Sequence, residues 1–333
     1  MTAAQSDTRS EHRSEAQMPT LAQAQSQLRR HGRSFYWAGH FLPRHSRYQA
    51  TRLYNLCRQI DDLADNASTP QEQTRAGKQL LALQQAIIHS APAQSPLAAQ
   101  ALDLCQHQPL FRQALIDLLA AVQGDLQPVQ MDHWPGLLGY CYGVAGTVGV
   151  MMAQLLEVEQ QPLALPHAID LGIAMQLTNM ARDVLEDAHM GRVYLPADGA
   201  AGRLSAHALA RGDTQSRRQA WQGVLELLER ADHYYRSGWQ GLGFIPARPR
   251  LAIAIAARVY QDIGPVIRRQ GPTGYWQGRA RVSGPRKLLL TLASLWQVPD
   301  HTGYVQHDGQ LHQDFISCLN PRPEPWYPED VHP

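Results

Sequence analysis

The spacing of apolar residues is the feature that most constrains the fold of this chain. From about residue 21 to residue 295, apolar side chains recur three and four positions apart, which is typical of helices with one buried face. The clearest runs are Leu80, Leu81, Leu83, Ala86, Ile87 and Ile88; Ala114, Leu115, Leu118, Leu119 and Val122; and Val224, Leu225, Leu227 and Leu228. No stretch alternates apolar and polar residues as a half-buried strand would. The pattern predicts an all-α, single-domain helical bundle.

Proline and glycine clusters divide this helical pattern and mark its ends. Four clusters are predicted to hold the main connections, namely Pro92–Pro96, Pro162–Pro166, Gly191–Gly202 and Gly238–Pro249. Residues 1–20 are polar and mixed in charge, so we expect a disordered lead. Residues 21–295 are expected to form one domain, and residues 296–333 a proline-rich tail. The last thirteen residues contain five prolines and cannot be helical.

The charge balance argues against nucleic acid as a partner. Lys and Arg number 30 against 29 Asp and Glu, for a formal net charge of +1, whereas nucleic-acid binding usually needs a strongly basic face. Lys78 and Lys287 are the only lysines, so the other 28 cations are arginines. The planar guanidinium group suits carboxylates and phosphates, although a coding bias toward arginine would give the same count.

Cysteine usage and hydropathy favour a cytoplasmic protein. The four cysteines form no CxxC pair and have no metal-ligand spacing, which is typical of a reducing compartment. The first twenty residues lack the apolar core of a signal peptide. Leu137–Leu156 has no charged residue and is long enough to cross a bilayer. Because it contains Thr147 and Gln154 and no second stretch resembles it, a buried core helix is the better interpretation.

A first acidic segment lies between residues 54 and 65. On a helix, Tyr54, Arg58, Asp61 and Asp65 fall within about 60° of one another, because each residue advances about 100°. Two carboxylates and one guanidinium therefore share one stripe. A solvated acidic face with an Arg58–Asp62 ion pair is the alternative interpretation of this segment taken alone.

A second acidic segment repeats the arrangement about 120 residues later. Gln176, Asn179, Asp183 and Asp187 fall within about 80° on a helix. Like charges four residues apart destabilise a helix by a few tenths of a kcal/mol, so a compensating cation is expected. Oxygen ligands on two facing helices suit Mg²⁺ bound together with substrate phosphates. Zinc is disfavoured at these stripes, because no His or Cys falls in register with either.

The chain resembles the trans-isoprenoid synthases, and specifically their squalene/phytoene synthase family. Four motifs carry the resemblance in chain order. They are His31-Gly32-Arg33-Ser34-Phe35; Tyr54 with Cys57-Arg58-Gln59-Ile60-Asp61-Asp62 and Asp65; Tyr140-Cys141-Tyr142-Gly143-Val144-Ala145-Gly146-Thr147-Val148-Gly149; and Gln176-Leu177-Thr178-Asn179 with Ala181-Arg182-Asp183, Glu186-Asp187 and Gly191-Arg192-Val193-Tyr194-Leu195-Pro196. A lone D-x-x-x-D is a weak signal, but this ordered set spans residues 31–290.

The resemblance implies a bundle around a deep central cavity, head-to-head (1′–1) condensation of two prenyl diphosphates, and Mg²⁺ as cofactor with Mn²⁺ as a substitute. The implied metal ligands are Asp61, Asp65, Asn179, Asp183 and Asp187. The implied catalytic residues are Tyr140 and the same four aspartates. The implied substrate contacts are His31, Gly32, Arg33, Ser34, Tyr54, Arg58, Gln176, Asn179, Arg182, Arg192 and Tyr260.

Two C-terminal motifs are most similar to those of bacterial phytoene synthases. They are Ala256-Ala257-Arg258-Val259-Tyr260-Gln261-Asp262-Ile263-Gly264 and Val282-Ser283-Gly284-Pro285-Arg286-Lys287. This similarity implies geranylgeranyl diphosphate as substrate, a cyclopropylcarbinyl (prephytoene) diphosphate intermediate, and phytoene as product in carotenoid biosynthesis. One alternative is a farnesyl diphosphate enzyme that makes presqualene diphosphate, dehydrosqualene or, with NADPH, squalene. Another is a non-catalytic assembly factor, although such a relative would be expected to lose aspartates that are intact here.

The resemblance also bears on partners and on the uncharged segment. A prenyl diphosphate synthase is expected upstream and a desaturase downstream, with peripheral contact to the inner face of the membrane because the product is hydrophobic. The segment 137–156 is expected to wall the cavity, since carbocations need an anhydrous pocket. Its glycines are Gly139, Gly143, Gly146 and Gly149. Each costs about 1 kcal/mol relative to alanine in a helix, which makes sense if either a prenyl chain or a neighbouring helix approaches closely.

Overall fold

Fourteen α-helices form the part of the chain that the computed structural model describes, which is residue 29 and residues 32–297 and 306–316. They are α1 (Arg33–Gly39), α2 (Arg44–Asp65), α3 (Pro70–Ile88), α4 (Pro96–Leu104), α5 (Pro109–Gly124), α6 (Trp134–Cys141), α7 (Thr147–Leu155), α8 (Gln161–His189), α9 (Ala206–Ala210), α10 (Thr214–Gly241), α11 (Ala247–Gln261), α12 (Ile263–Gly274), α13 (Gly284–Gln297) and α14 (Gln310–Ile316). In these ranges the backbone makes one isolated bridge, between Gln130 and Val193, and no strand. The predicted all-α class is confirmed.

Local side-chain hydrogen bonds fix where several helices begin. Thr69 and Glu72 form a reciprocal capping box at α3, with Thr69 Oγ1 accepting from the Glu72 backbone N–H at 3.2 Å. Ser95 caps α4 and Asp213 caps α10 in the same way. Each cap contributes about 1 kcal/mol. Proline stands in the first turn of α3 and α4, where no backbone N–H is needed.

Helix α8 is the centre of the molecule. Helices α6, α7 and α9–α12 pack on it, and its contact with α10 extends along most of both helices. Ile169, Ile173 and Leu177 of α8 and Val224 and Leu227 of α10 are fully buried. The buried face of α8 fixes the rotation of the helix, so the polar stripe that contains Asn179, Asp183 and Asp187 is held in one direction.

The uncharged segment is a buried wall of the bundle. It consists of α6, a π-helical turn over Tyr142–Gly146, and α7. Within the described residues, the run Trp134–Leu155 is one helix long and apolar enough to cross a membrane, and 61% of its most apolar window is buried inside the fold. It packs against α5 and α8, as predicted for a core helix.

Glycines in this wall allow neighbouring helices to approach closely. A Cβ at Gly149 would lie 2.1 Å from the carbonyl oxygen of Ala168 on α8, and one at Gly143 would lie 2.6 Å from Cβ of Ala121 on α5. On the α8 side, a Cβ at Gly172 would lie 2.2 Å from the carbonyl oxygen of Ala145. Of the two explanations left open, close helix packing accounts for Gly143 and Gly149.

The predicted connections are partly correct. Pro92–Pro96 and Gly191–Gly202 lie between helices. The connection at Pro162–Pro166 is wrong, because both prolines lie in α8: Pro162 is in its first turn and Pro166 is inside it. A proline there removes only one backbone hydrogen bond near the helix end, and packing of the rest of α8 offsets that loss. The connection predicted over Gly238–Pro249 is shorter, because α10 continues to Gly241 and α11 begins at Ala247.

Part of the predicted tail packs against the bundle. Residues 306–316 contain α14, which contacts α6, and Phe315 and His312 are buried. The lead at residues 1–20 and the segments 298–305 and 317–333 lie outside the described residues, as do His31 and the side chain of Arg33.

Candidate active site

The first acidic stripe lies on the last three turns of α2. Burial raises the pKa of Asp61 to about 7, and the neighbouring Asp65 and Asp125 carboxylates add to that shift, against the opposing charge of Arg58. Asp65 is one-third exposed and accepts a hydrogen bond from Arg192 Nη1 at 2.9 Å. Carboxylates are thus concentrated at this end of α2, and Asp61 is partly protonated near neutral pH unless a cation is bound.

Arg58 interacts with one carboxylate outside the stripe and one inside it. It forms its closest ion pair with Asp62, four residues on, and its Nη2 lies 4.0 Å from Asp65 Oδ2. The Arg58–Asp62 pair that the sequence left open as an alternative is therefore formed. This pair does not account for the whole segment, because Asp65 also accepts a hydrogen bond from Arg192 and Asp61 is buried near other carboxylates.

The second stripe lies on the C-terminal half of α8. Asn179 Nδ2 donates to Gln176 Oε1 at 3.3 Å, while Asn179 Oδ1 is buried and has no hydrogen-bond partner. Burial raises the pKa of Asp187 to about 7, with the nearby Asp183 carboxylate adding to the shift. One face of this helix therefore carries a buried oxygen without a hydrogen-bond partner and, two turns further on, a carboxyl group of raised pKa.

Two arginines hold Asp183 between them. Arg182 donates Nε to Oδ1 at 2.7 Å and Nη2 to Oδ2 at 2.5 Å, and Arg279 donates the same pair of groups at 2.7 Å and 2.6 Å. Although burial raises the pKa of Asp183, these two guanidinium groups outweigh it and hold the pKa below its ordinary value. Asp183 is ionised and fully paired.

Arg192 brings the two stripes to one place. It lies in the loop after α8, donates to Asp65 of the first stripe, and lowers the pKa of Asp187 in the second through its charge. Its side chain is 13% exposed. The loop between Gly191 and Gly202 therefore places a guanidinium group between carboxylates that are about 120 residues apart in sequence.

Tyr140 stands in a hydrogen-bonded group beside the first stripe. Its hydroxyl donates to Asp125 Oδ2 at 2.9 Å and lies 3.2 Å from the Tyr194 hydroxyl. Burial raises the pKa of Tyr140 well above its ordinary value and raises the pKa of Asp125 to about 6. Asp125 also contributes to the raised pKa of Asp61, so the Tyr140 group and the α2 carboxylates share one electrostatic environment.

Tyr54 and Tyr260 connect the stripes to an apolar cavity. The ring of Tyr260 packs on Phe35 at 4.9 Å between centroids, and its hydroxyl interacts with Arg182. Burial raises the pKa of Tyr54 to about 12. A cavity of about 190 Å³ begins beside Tyr54 and is lined mainly by apolar side chains of α1, α2, α7 and α11. An apolar pocket that opens beside clustered charges suits a ligand with a charged head and a hydrocarbon chain.

The remaining predicted substrate contacts lie at the start of the described chain. Gly32 is buried, and its carbonyl oxygen accepts from the Tyr36 backbone N–H at 2.7 Å. Ser34 is half-buried in α1. Nothing is described for His31 or for the side chain of Arg33. Helix α1 packs on α11, which brings it to the same cavity.

Sequence reasoning missed two charged residues of this site. Arg279 follows α12 and pairs with Asp183, and Asp125 ends α5 beside Tyr140. Neither belongs to a helical stripe, so periodicity gives no signal for them. Tyr194 stands in a quoted motif, and only the fold shows that its hydroxyl faces Tyr140.

The donor set fits a divalent cation that prefers oxygen ligands. Asp61, Asp65 and Asp187 supply carboxylates, and Asn179 supplies the buried amide oxygen that has no partner. Cys57 lies one turn before Asp61, but burial raises the pKa of its thiol, which keeps it protonated and disfavours it as a ligand. Hard oxygen donors of this kind are those of Mg²⁺ and Mn²⁺.

The raised pKa values of Asp61 and Asp187 predict that the metal-free protein loses stability as pH rises. Both carboxyl groups keep their protons to higher pH when folded, so the unfolded chain binds fewer protons between about pH 4 and about pH 7. The stability that they contribute is present below that window and is lost as pH rises through it. We expect Tm in EDTA to fall between about pH 5 and about pH 8, and to fall less in Asp61→Asn. Identical pH profiles for the two proteins would contradict the assignment.

Comparisons with a family model and with individual known proteins agree on one family. The squalene/phytoene synthase family model matches residues 28–286. The chain belongs to the squalene/phytoene synthase family. It is 35% identical over 274 residues to the 15-cis-phytoene synthase of Enterobacter agglomerans, covering 80% of this chain and 91% of that protein. It is 36% identical over 273 residues to the 15-cis-phytoene synthase of Paracoccus sp., covering 80% and 87%.

A solved structure of the same family shares the architecture. A dehydrosqualene synthase in complex with a ligand superposes with a TM-score of 0.68 at 27% identity, covering 83% of this chain and 95% of that one. The predicted family membership and the all-α isoprenoid synthase fold are confirmed. In the chain described here, both acidic motifs are complete, one on α2 and the other on α8.

Proposed function

We propose that this protein condenses two molecules of geranylgeranyl diphosphate head to head to form phytoene in carotenoid biosynthesis. Two diphosphates and two protons are released for each phytoene, with prephytoene diphosphate as the intermediate. The observation that carries the proposal is the similarity, at 35% and 36% identity over most of the chain, to proteins named as 15-cis-phytoene synthases. The complete acidic stripes support catalysis over the role of a non-catalytic assembly factor.

We further propose that Asp61, Asp65, Asn179, Asp183 and Asp187 hold Mg²⁺, or Mn²⁺ in its place, together with substrate diphosphate. Bound there, the cation would neutralise charge that builds on the leaving diphosphate. Support comes from the buried Asn179 oxygen that has no partner and from the raised pKa values of Asp61 and Asp187. NADPH would be required only if the product were squalene.

The arginines are proposed to exchange partners when substrate binds. Arg58, Arg192, Arg182 and Arg279 pair with aspartates of the two stripes. A diphosphate that enters with its cation offers the arginines phosphate oxygens, while the carboxylates turn to the metal. Guanidinium groups bind such oxygens through paired hydrogen bonds. The Gly191–Gly202 loop, which carries Arg192, would move with that exchange and cover the site.

Tyr140 is proposed to act in the first half-reaction, in which an allylic cation forms and is attacked by the second prenyl chain. Its hydroxyl donates to Asp125, which increases the electron density on the phenol oxygen. That oxygen would stabilise a nearby carbocation without adding to it, because burial keeps Tyr140 protonated. The apolar cavity beside Tyr54 excludes water that would quench the cation.

Tyr140→Phe is expected to slow consumption of geranylgeranyl diphosphate by about 10²-fold, because it removes a polar group aimed at developing charge. Tyr142→Phe is the matched control, since Tyr142 is the next buried tyrosine and donates to Asp117 at 2.9 Å outside the site. The measurement is the rate of substrate consumption by the two variants, and their melting temperatures check that both are folded. Consumption at the wild-type rate by Tyr140→Phe would contradict the role.

A second candidate function is condensation of farnesyl diphosphate, favoured by the similarity to a dehydrosqualene synthase structure. The two functions are separated by incubating the purified protein with Mg²⁺ and either prenyl diphosphate, with and without NADPH, and identifying the hydrocarbon. We expect phytoene from geranylgeranyl diphosphate without NADPH. A hydrocarbon formed only from farnesyl diphosphate would replace the first proposal with the second.

The proposed product also bears on location and partners. Phytoene is a hydrocarbon, so we propose a cytoplasmic protein with peripheral contact to the inner face of the membrane. Helix α13 carries exposed apolar side chains that suit such contact, including Leu288, Leu289, Leu292 and Trp296. An upstream prenyl diphosphate synthase and a downstream desaturase are the proposed neighbours in the reaction sequence.

A further inference from the structure

A buried group of histidines surrounds one carboxylate far from the acidic stripes. Asp170 lies on α8, thirteen residues before Asp183 and therefore about 20 Å away along the helix. It is fully buried. His307 and His312, from the segment 306–316, both reach it. The proposed reaction uses none of these residues.

The three side chains converge on one point. His307 Nε2 lies 2.7 Å from Asp170 Oδ2, and His312 Nε2 lies 2.6 Å from Asp170 Oδ1. The two imidazole rings are 4.5 Å apart between centroids. One ligand atom from each of the three residues lies within 4.8 Å of the others. The same nitrogen of each ring therefore faces a different oxygen of one carboxylate.

The carboxylate needs positive charge beside it. His312 is 1% exposed and His307 is 10% exposed. A carboxylate that is buried against two imidazole rings in a dry interior is costly unless positive charge joins them.

Neighbouring side chains hold the Asp170 carboxylate in place. Ser237 donates its hydroxyl hydrogen to Asp170 Oδ2, and His167 Nδ1 lies 2.9 Å from the Ser237 oxygen. The His167 ring stands edge-on to His307 at 5.1 Å. Buried metal ligands are usually oriented by such an outer layer of hydrogen bonds.

The ligand chemistry selects zinc. Two imidazole nitrogens and a carboxylate oxygen suit a borderline-soft ion and not Mg²⁺, which prefers oxygen. His307 and His312 have four residues between them, within the three to five that separate histidine pairs in structural zinc sites. Ligands around tetrahedral zinc lie about 3.3 Å apart, so small outward rotations of the two rings would admit the ion.

We propose that Asp170, His307 and His312 bind one Zn²⁺ ion, which fastens the C-terminal segment to the central helix. Two further contacts made by the segment show what the fastening supports. Tyr234 donates its hydroxyl to the Leu311 carbonyl oxygen at 2.8 Å, and Phe315 stacks on Tyr142 of the π-helical turn at 5.6 Å. The ion therefore braces the wall behind the active site without taking part in the reaction.

Metal analysis of the full-length protein tests the proposal. The protein is purified without a polyhistidine tag, supplied with Zn²⁺, and passed through gel filtration before elemental analysis. We expect about one zinc per chain and a loss of about tenfold or more in His307→Gln and in His312→Gln. His89→Gln, which changes the exposed histidine that directly follows α3, should retain the zinc. Zinc-free wild-type protein, zinc retained by His307→Gln, or iron in place of zinc would overturn the proposal.

Cobalt substitution tests the ligands without relying on a variant that folds. Co²⁺ added to metal-free wild-type protein should give the intense visible absorption of a tetrahedral site, and Zn²⁺ should abolish it by displacement. His307→Gln serves as the comparison and should lose this absorption. It is preferred to His312→Gln because the His307 ring is the more exposed of the two, so its replacement disturbs the fold less. Only the weak spectrum of octahedral cobalt, the form expected at the aspartate stripes, would show that the cluster is a hydrogen-bonded network without metal.

Discussion

Asp61→Asn is expected to lower turnover by about 10³-fold, because it removes an anionic ligand from the proposed metal–diphosphate site and several kcal/mol of charge stabilisation with it. The melting temperature of the metal-free protein should not fall. Burial raises the pKa of Asp61, and the Asp65 and Asp125 carboxylates add to the shift, so a neutral amide avoids the cost of a buried charge and relieves like-charge repulsion in the metal-free state. Activity and stability should therefore change in opposite directions, and this result separates a functional carboxylate from a structural one.

The measurements for Asp61→Asn are the steady-state rate in saturating Mg²⁺ and the melting temperature in EDTA. Asp103→Asn is the matched control, because it removes the same charge from an exposed carboxylate that pairs with Arg52 of the same helix α2. The control should keep activity within about twofold. Wild-type activity in Asp61→Asn, or a drop in melting temperature that explains its lost activity, would contradict the assignment.

Gly149→Ala is expected to destabilise the protein by about 3 kcal/mol or more, since the added methyl group meets a backbone atom and not a mobile side chain. Its Cβ would lie 2.1 Å from the Ala168 carbonyl oxygen, so α7 and α8 would have to separate. At a helix position without steric conflict, alanine would stabilise the protein by about 1 kcal/mol relative to glycine. A loss of stability in Gly149→Ala would therefore indicate close contact between α7 and α8. The measurement is the denaturant midpoint of the metal-free protein.

Gly124→Ala is the control for this substitution. A Cβ at Gly124, the last residue of α5, meets nothing within 4 Å, so no loss of stability is expected. If Gly149→Ala kept wild-type stability and instead changed the affinity for substrate, the space at Gly149 would belong to the prenyl chain and not to helix packing.

Helical periodicity predicted the parts of the site that lie on single helices. Asp61 and Asp65 share one face of α2, and Asn179, Asp183 and Asp187 share one face of α8, because their spacing follows the helical repeat. Leu137–Leu156 was assigned to the core on different grounds, because it contains polar residues such as Thr147 and Gln154 and no second stretch resembles it. Family resemblance supplied the reaction, which no spacing of carboxylates specifies by itself.

Contacts between distant segments could not be predicted in this way. The Arg279–Asp183 pair joins residues 96 positions apart, and the bond from Arg192 to Asp65 spans 127. The histidine cluster escaped notice for the same reason, since Asp170 is 137 and 142 residues from its partners. The spacing of His307 and His312 is typical of zinc ligands, but two histidines alone do not specify a site without the distant carboxylate.

The error at Pro162–Pro166 has a different origin. Proline usually ends a helix, but the first turn of α8 does not need the missing N–H, and tertiary packing along α8 outweighs one lost hydrogen bond at Pro166. Local preference is a weak guide where a helix is buried on most of its surface. The same packing fixes the direction of the acidic stripe and so positions the site.

The position of the new carbon–carbon bond tests head-to-head condensation most directly. Geranylgeranyl diphosphate labelled with carbon-13 only at the carbon that bears the diphosphate is incubated with the protein and Mg²⁺, and the hydrocarbon is examined by carbon NMR. Head-to-head condensation predicts phytoene whose two labelled carbons are the equivalent CH carbons of the central double bond. They should give a single enriched olefinic signal, and the proton-coupled spectrum should show the AA′XX′ pattern of two directly bonded, labelled CH groups. A product whose labelled carbons are not bonded to each other, or no hydrocarbon at all, would contradict head-to-head condensation of geranylgeranyl diphosphate.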